Sequence, residues 1–222
     1  MGKILILAGK DLRLFLTRGH GLVQALLLGL LLIFTFSLAA AGRGRVSEEW
    51  SAAIFWLATC FCQVLIFNAL YALEDENAAR EGLLMAPVSA QTIWLAKVLA
   101  GGTVLILVQA VFVPACAVFL DLTSIHSWLW ALGSVCAVDA GLIILGALLG
   151  AVGSQQTGRD SLLTVILFPL LIPLLLAGIR LGGHVLGASG VGAPWDWIRL
   201  VVTFDALFAG LALLLFPVLY RE

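Results

Sequence analysis

Charged residues are scarce in this chain. They make up 11% of its 222 residues, against about 25% in ordinary soluble domains. Hydrophobic residues reach 62%, and the mean hydropathy is +1.12. A soluble fold of this length could not cover so much apolar surface with polar side chains. The composition therefore excludes an ordinary soluble domain and predicts an integral membrane protein.

Nucleotide-binding and catalytic motifs are also lacking. The sequence contains no GxxxxGK[ST] phosphate loop and no HExxH metal motif, the patterns that would point to nucleotide or zinc chemistry. Its four cysteines, Cys60, Cys62, Cys116 and Cys136, fall inside apolar runs without a CxxC pair. This placement favours free thiols over a disulfide or a zinc site. We therefore expect no catalytic residue, no metal site and no firmly bound cofactor.

Long hydrophobic runs dominate what is present. Crossing about 30 Å of hydrocarbon takes roughly 20 helical residues, and solid apolar blocks favour helices. The sequence predicts an all-α integral membrane protein, a single transmembrane domain over residues 1–222. Its six predicted spans are about 21–41, 50–72, 98–120, 128–152, 161–180 and 198–219.

The distribution of cationic residues predicts the orientation, because cytoplasmic connections carry an excess of Lys and Arg. An even number of spans places both termini on one side. That side holds eight cations: Lys3, Lys10, Arg13, Arg18, Arg80, Lys97, Arg159 and Arg221. The other side holds four: Arg43, Arg45, Arg180 and Arg199. We therefore expect both termini in the cytoplasm, with Trp94 at the inner membrane boundary and most other tryptophans at the outer one.

Residues 3–18 are typical of an interfacial amphipathic helix. Lys3, Lys10 and Thr17 recur every seven residues, while residues such as Leu5 and Leu16 supply apolar surface elsewhere on the helix. Such helices lie in the membrane surface with their cations toward anionic lipid. Gly19 and Gly21 would permit a sharp turn into the first span. The alternative is that this segment is only a basic flank that sets the orientation.

Two acids fall inside predicted spans. Asp139 lies near the middle of the fourth span and Asp205 lies within the sixth. A carboxylate at mid-bilayer costs at least about 2.5–3.5 kcal/mol, so each side chain should face the protein interior or a wet cavity. They are candidates for an intramembrane polar site on a substrate or proton path, and hydrogen bonds to neighbouring helices are the structural alternative.

Several outer residues could contact haem or another substrate. His184 lies in the predicted outer connection 181–197, together with Trp195 and Trp197 of the sequence PWDW. A neutral imidazole can ligate haem iron. The simpler interpretations are a surface histidine and an aromatic belt at the headgroups.

Backbone-shaping residues cluster in the fourth and fifth spans. Gly133, Ala137 and Gly141 repeat at four-residue spacing, and Gly146 and Gly150 follow. This pattern favours close helix packing within the chain over a dimer seam. Pro169 and Pro173 in the fifth span indicate either a hinge or a fixed kink.

The connection 73–97, here called the acidic elbow, is the longest polar stretch in the chain. It predicts a short helix at 73–86 that ends at Pro87, followed by a second helix capped by Ser89. A loop that only connects two spans would be shorter, although a solvated charged loop remains the alternative. The expected docking residues combine acids, one arginine, leucines and the proline: Glu74, Asp75, Glu76, Arg80, Glu81, Leu83, Leu84 and Pro87.

This elbow resembles the loop between the second and third spans of ABC exporter membrane subunits. EDENAAREGLLMAPVSAQTIWLAK (74–97) shares their acids, leucines, proline and final lysine, with Ala78-Ala79 where the pattern has Gly-Ser/Thr. GALLGAVG (146–153) and LLTVILFPLLIPLLLAG (162–178) extend the likeness. Over essentially its whole length the chain resembles the CcmB family, the membrane permeases of the haem exporter in cytochrome c maturation.

The resemblance implies a non-catalytic ABC transporter permease in the bacterial inner membrane. ATP would be hydrolysed by a separate cytoplasmic ABC ATPase, present in two copies, which docks on the acidic elbow. Other implied partners are a haem-handling membrane subunit, a small single-span subunit and a periplasmic haem chaperone, with haem in the complex. ATP use would drive release of the loaded chaperone or haem transfer.

Three other hypotheses remain open from the sequence. The same architecture could export another substrate, such as a lipid or a drug. An intramembrane enzyme could use Asp139 and Asp205, but it would have no use for the acidic elbow. The chain could also be a scaffold that only assembles neighbouring proteins.

Overall fold

The chain folds into long helices that pack side by side. The structure is a computed structural model. It describes residues 2–41, 46–75, 82–83, 85–120, 125–154, 168–188 and 193–219. These residues form seven α-helices: α1 Gly2–Arg18, α2 His20–Ala41, α3 Glu48–Asp75, α4 Ala90–Phe119, α5 Trp128–Ser154, α6 Leu171–Leu186 and α7 Pro194–Leu219. A 3-10 turn, Phe168–Leu170, leads into α6.

Five of these helices are long and apolar enough to cross a membrane: α2, α3, α4, α5 and α7. They confirm five of the six predicted spans, with shifted ends. The predicted fifth span, 161–180, is not confirmed. Helix α6 has 16 residues, about 24 Å of helix, which is short of the roughly 30 Å of hydrocarbon. The predicted part 161–167 lies outside the described residues.

The fifth predicted span also ends later than expected. Helix α6 continues to Leu186 instead of stopping near residue 180, so His184 lies on a helix and not in a loop. Pro169 lies in the 3-10 turn and Pro173 in the first turn of α6. A proline in a first helical turn loses no intrahelical hydrogen bond. Neither proline therefore kinks a described helix.

Helix α3 is the centre of the packing. It contacts α2, α4, α5 and α6, while α7 covers α5 and α6 on the far side. Close approach to α5 depends on glycine: a Cβ at Gly146 would meet the Gln63 and Phe67 side chains, and one at Gly150 would meet the Tyr71 ring. Small residues let helices approach where lipid supplies no hydrophobic drive. The prediction of close packing within the chain is confirmed at Gly146, at Gly150 and at Gly141, where a Cβ would meet Asp205 and Leu174. It is wrong at Gly133, where a Cβ would meet nothing within 4 Å.

Helix α1 turns sharply into α2. Gly19 separates the two helices and has φ 67°, a conformation that glycine adopts without a steric penalty. The predicted helix and turn are thus confirmed. The face of α1 that packs on the body carries Ala8, Asp11 and Phe15, whereas Leu5 and Leu16 are exposed. That exposure supports an interfacial position, which stays a prediction.

One tryptophan was assigned to the wrong environment. Trp94 is 4% exposed and belongs to the main core, so it cannot anchor in the inner headgroup region. Trp50, Trp128 and Trp195 are largely exposed, as expected for the outer aromatic belt.

We predict that Gly150→Leu destabilises the protein by about 1–3 kcal/mol, because overpacking a close helix contact forces neighbouring atoms apart. The new Cβ would meet Tyr71 and would lie 3.2 Å from the Phe67 carbonyl oxygen. Gly133→Leu is the matched control on the same helix, since a Cβ there meets nothing within 4 Å. Thermal denaturation midpoints in detergent measure the effect, and an equal drop in both variants would contradict the packing argument.

Candidate functional site: the Lys97 cluster beneath the acidic elbow

The acidic elbow begins and ends on two central helices. Helix α3 runs to Asp75 and α4 begins at Ala90. Of the predicted docking residues, Glu76, Arg80, Glu81 and Leu84 lie outside the described residues, and Asp75 is described only as the end of α3. The structure places the remaining three: Glu74, Leu83 and Pro87.

Glu74 and Leu83 lie in environments that differ from the predicted ones. Residues 73–75 belong to α3, so the predicted separate helix over 73–86 is wrong at its start. Glu74 is 4% exposed and does not face the cytoplasm as a steering charge. Leu83 packs against the main core instead of being free to dock. Among the described residues of this segment, Met85 is a large apolar residue that is exposed, at 88%.

The end of the elbow is built as predicted. Ser89 caps α4: its Oγ accepts a hydrogen bond of 3.3 Å from the Thr92 backbone N–H. Pro87 is exposed, and its carbonyl oxygen accepts a 2.9 Å hydrogen bond from Lys3 Nζ. The first turn of α1 is thereby joined to the elbow.

A buried cluster of charges lies directly beneath the elbow. Lys97 Nζ on α4 lies 2.7 Å from Glu74 Oε1 on α3 and 3.1 Å from Asp11 Oδ2 on α1. Lys10 Nζ lies 3.1 Å from Asp11 Oδ1. The Lys97 side chain is 1% exposed, and the side chains of Asp11 and Glu74 are 8% and 5% exposed. These four residues are called the Lys97 cluster.

The charges in this cluster balance. Two ammonium groups face two carboxylates, so the group carries no formal excess charge. Removing ions from water costs several kcal/mol each, and attraction between partners offsets that cost only when the geometry is good. A further proton of Lys97 is also used, because Nζ donates a 3.0 Å hydrogen bond to the Leu70 carbonyl oxygen. The cluster therefore holds α1, α3 and α4 in one arrangement.

The cluster extends toward α5 through Tyr71. Lys97 Nζ lies 5.1 Å from the centre of the Tyr71 ring, within the range of a cation–π interaction. The Tyr71 hydroxyl donates a 2.9 Å hydrogen bond to the Ala147 carbonyl oxygen. These contacts connect the Lys97 cluster with four helices, α1, α3, α4 and α5.

Asp11 is not among the residues predicted for the site, and Lys97 is predicted only as the last residue of the elbow motif. A signal for Asp11 was present: Ala8, Asp11 and Phe15 follow the 3–4 residue spacing of one helix face. An acid on that otherwise apolar face needs a buried cation as partner. The partner itself, Lys97, lies far along the chain and could not be identified from spacing within one helix.

The two intramembrane acids do not form one site. Asp139 is 4% exposed and accepts a 2.7 Å hydrogen bond from Gln109 Nε2 of α4. Asp205 packs against Gly141, and its Oδ1 has no hydrogen-bond partner among the described residues. Positions 139 and 141 point about 200° apart around α5. The acids therefore lie on different sides of that helix.

The predicted outer residues come together in part. The Trp130 ring packs edge-on against His184 at 5.7 Å and against Trp195 at 5.3 Å, between ring centres. Trp197 instead packs against a hydrophobic cluster that includes Trp56, Leu142 and Leu174. Trp130, which the prediction of contact residues omitted, is thus the residue that joins His184 to Trp195.

A small cavity lies at the same end of the molecule. Its volume is about 150 Å³, and its walls include Ser51, Trp56, Cys116 and Ser134. Pockets for drug-sized ligands usually measure about 300–1,000 Å³. The cavity as described is too small for a ligand the size of haem.

The chain matches the sequence model of a known protein family and several curated relatives. The sequence model of the family described as "CcmB protein" matches residues 3–218. Curated relatives named "Heme exporter protein B" share 27% identity over 187 residues in Rhodobacter capsulatus (83% of this chain, 84% of the relative). The Pseudomonas aeruginosa relative shares 26% over 225 residues (93% and 95%). The Paracoccus denitrificans relative shares 25% over 169 residues (76% and 77%).

We predict that Lys97→Met destabilises the protein by about 3–5 kcal/mol, because it leaves Asp11 and Glu74 buried without their shared cation. The neutral triple variant Lys97→Met, Asp11→Asn, Glu74→Gln should recover most of the loss. Membrane levels and thermal denaturation in detergent test both expectations. Arg199→Met is the control, since it breaks an exposed pair with Asp196 that should contribute little. A single variant as stable as the control would show that the cluster contributes nothing.

Proposed function

The chain belongs to the CcmB family, and on that premise we propose that it is the non-catalytic membrane permease of an ABC-type complex in haem delivery for cytochrome c maturation. The names of its relatives, "Heme exporter protein B", support the substrate class. The hydrophobic composition and the five long apolar helices support a multi-pass position in the bacterial inner membrane.

The observation that carries the proposal is the Lys97 cluster. It ties both ends of the acidic elbow, Glu74 on α3 and Lys97 on α4, to Asp11 of the surface helix. A force applied to the elbow cannot be absorbed by the connection alone, because the charged groups lose their compensation if they separate. The force is transmitted to α3 and α4 as a unit.

The source of that force is a separate cytoplasmic ABC ATPase, present in two copies. The acidic elbow is its docking surface. Met85 and Pro87 are exposed there, and the sequence adds Glu76, Arg80, Glu81 and Leu84, which lie outside the described residues. The acids of the elbow steer the encounter toward basic residues of the ATPase. Both termini of the chain lie on this cytoplasmic side.

The opposite end of the molecule faces the haem-handling partners. These are a haem-handling membrane subunit, a small single-span subunit and a periplasmic haem chaperone. The edge-on cluster of His184, Trp130 and Trp195 offers an imidazole and flat aromatic surface to haem or to a haem-loaded protein. ATP use drives release of the loaded chaperone or haem transfer at this surface. The nearby cavity of about 150 Å³ is too small to hold haem.

The intramembrane acids support this division of labour. Asp139 is compensated by Gln109, and Asp205 lies on another side of α5. Such an arrangement serves helix packing better than paired acid–base chemistry, which needs both groups within reach of one substrate. We assign no catalytic role to either residue.

We predict that the neutral triple variant of the Lys97 cluster is inserted at normal level but matures c-type cytochromes poorly. Neutral residues can fill the same space, but they do not hold the elbow to α1 with the directional charge pairs. Haem staining of c-type cytochromes in membranes, normalised to the level of the variant, measures the effect. Normal maturation by a stably inserted triple variant would show that the cluster only stabilises the fold.

We predict that a photo-crosslinking amino acid at position 85 captures the cytoplasmic ATPase. Met85 is 88% exposed, and Leu129 at the opposite end is 83% exposed, so a probe at 129 is the matched control. The double variant Glu81→Arg, Leu84→Arg should abolish the crosslink at 85 because it reverses charge and removes apolar contact. Immunoblotting of the purified complex reads out the adduct. Capture from position 129 and not from 85 would place the elbow on the wrong side of the membrane.

A further inference from the structure

The small cavity at the end of the molecule opposite the acidic elbow is enclosed by four helices. Its walls come from the start of α3, the end of α4, the start of α5 and the end of α6, with Ile125 from the connection before α5. Its volume is about 150 Å³. An apolar cavity of about this volume holds one benzene molecule. The space therefore matches a single six-membered ring.

Close contacts fix the walls of this cavity. A Cβ at Gly182 would meet the Cβ of Ala52 and would lie 3.3 Å from Trp56 Nε1, so α6 and α3 meet beside the cavity without spare room. The backbone N–H of His126 donates a 2.9 Å hydrogen bond to the Val185 carbonyl oxygen. This bond holds the segment before α5 against α6. The cavity is thus preformed, as binding sites for small molecules usually are.

One polar group in the wall has no partner. Ser51 is 0% exposed, and its Oγ forms no hydrogen bond within the part of the chain that the structure describes. Ser134 also lines the cavity, but its Oγ already donates a 3.0 Å hydrogen bond to the Ala131 carbonyl oxygen. A buried hydroxyl without a partner costs free energy. The cavity therefore favours an occupant that brings a hydrogen-bonding group to Ser51.

The rest of the wall is mostly apolar and partly aromatic. None of the described residues that line the cavity is charged. Phe55 and Trp56 both line it, with their rings edge-on at 5.2 Å between centres. Aromatic walls favour a planar ring, because aromatic rings attract one another beyond the burial of their area. Val113 and Ala117 of the α4 wall are exposed, so the cavity reaches the molecular surface beside α4.

We propose that this cavity binds one phenol ring. The ring fills the apolar space against Phe55 and Trp56, and the phenolic hydroxyl donates a hydrogen bond to Ser51 Oγ. A lipid acyl chain would fill the space but would leave Ser51 unpaired. A single water would pair with Ser51 but takes up only about 30 Å³, which leaves most of the cavity empty. Free monocyclic phenols and the tyrosine side chain of a partner subunit both carry the required chemistry.

The experiment is a fluorine NMR titration of the full chain in detergent with para-fluorophenol and with fluorobenzene, which lacks the hydroxyl. Wild type should bind para-fluorophenol saturably and roughly fivefold more tightly than fluorobenzene, the ratio that one net hydrogen bond supplies. Ser51→Ala should remove this preference, whereas Ser134→Ala, the matched control in the same cavity, should keep it. Equal affinity of wild type for both ligands, or a preference that survives in Ser51→Ala, would overturn the proposal.

Folding of the variants does not obscure this test. Ser51→Ala should be at least as stable as wild type without ligand, because it deletes an unpaired buried hydroxyl. A second variant, Ala131→Leu, adds side-chain volume to the wall and should abolish binding of both ligands. Gly133→Leu is its control on the same helix, since Gly133 does not line the cavity and a Cβ there meets nothing within 4 Å. Unchanged binding in Ala131→Leu would show that the ring binds elsewhere.

The assembled complex distinguishes the two sources of the ring. If the ring is a free phenol, the complex with its co-purifying subunits should bind para-fluorophenol as the isolated chain does. If it is a tyrosine side chain, only the isolated chain should bind the probe, and a photo-crosslinker at position 131 should capture a subunit of the complex. Capture of a lipid acyl chain at position 131, in place of either, would contradict the proposal.

Discussion

A lysine ammonium buried between two carboxylates is the interaction on which the elbow end of this molecule depends. Lys97 lies within 3.1 Å of both Asp11 and Glu74, and its side chain is 1% exposed. Each charge is costly to bury alone, and Lys97 keeps both of its carboxylate partners only while α1, α3 and α4 keep their present positions. The requirement for charge balance therefore acts as a geometric constraint on three helices.

Polar contacts and small residues set the packing inside the body as well. Gln63 Nε2 donates a 2.6 Å hydrogen bond to the Leu142 carbonyl oxygen, and Cys62 Sγ donates a 2.9 Å hydrogen bond to that of Ala25. Apolar side chains gain little by leaving lipid for another helix, so such contacts, with glycine at close approaches, decide which faces meet. Helix α3 carries three such donors, Cys62, Gln63 and Tyr71, and these contacts account for its central position.

The two ends of the molecule have different chemistry, which suits different tasks. At the elbow end, Lys97 pairs with Glu74 and Ser89 caps α4. At the other end, the Trp130 ring packs edge-on against the His184 imidazole. Helices α3 and α4 connect the ends as continuous elements, although α4 contains Pro114. An element that is rigid along its length can carry a displacement from one membrane surface to the other.

Composition and local pattern determined the membrane class, five long apolar helices, helix α1, the turn at Gly19 and the Ser89 cap, because each depends on residues close together in the chain. Tertiary structure decided the rest. The sequence predicts Glu74 as a solvent-facing acid, but the structure buries it beside Lys97. It predicts Leu83 as a docking residue, but the structure packs Leu83 against the core. Asp11 and Lys97 are far apart in the sequence, and only the packing of α1 on α4 brings them together. Charge compensation in a low-dielectric interior acts through space and leaves no periodic signal along one helix.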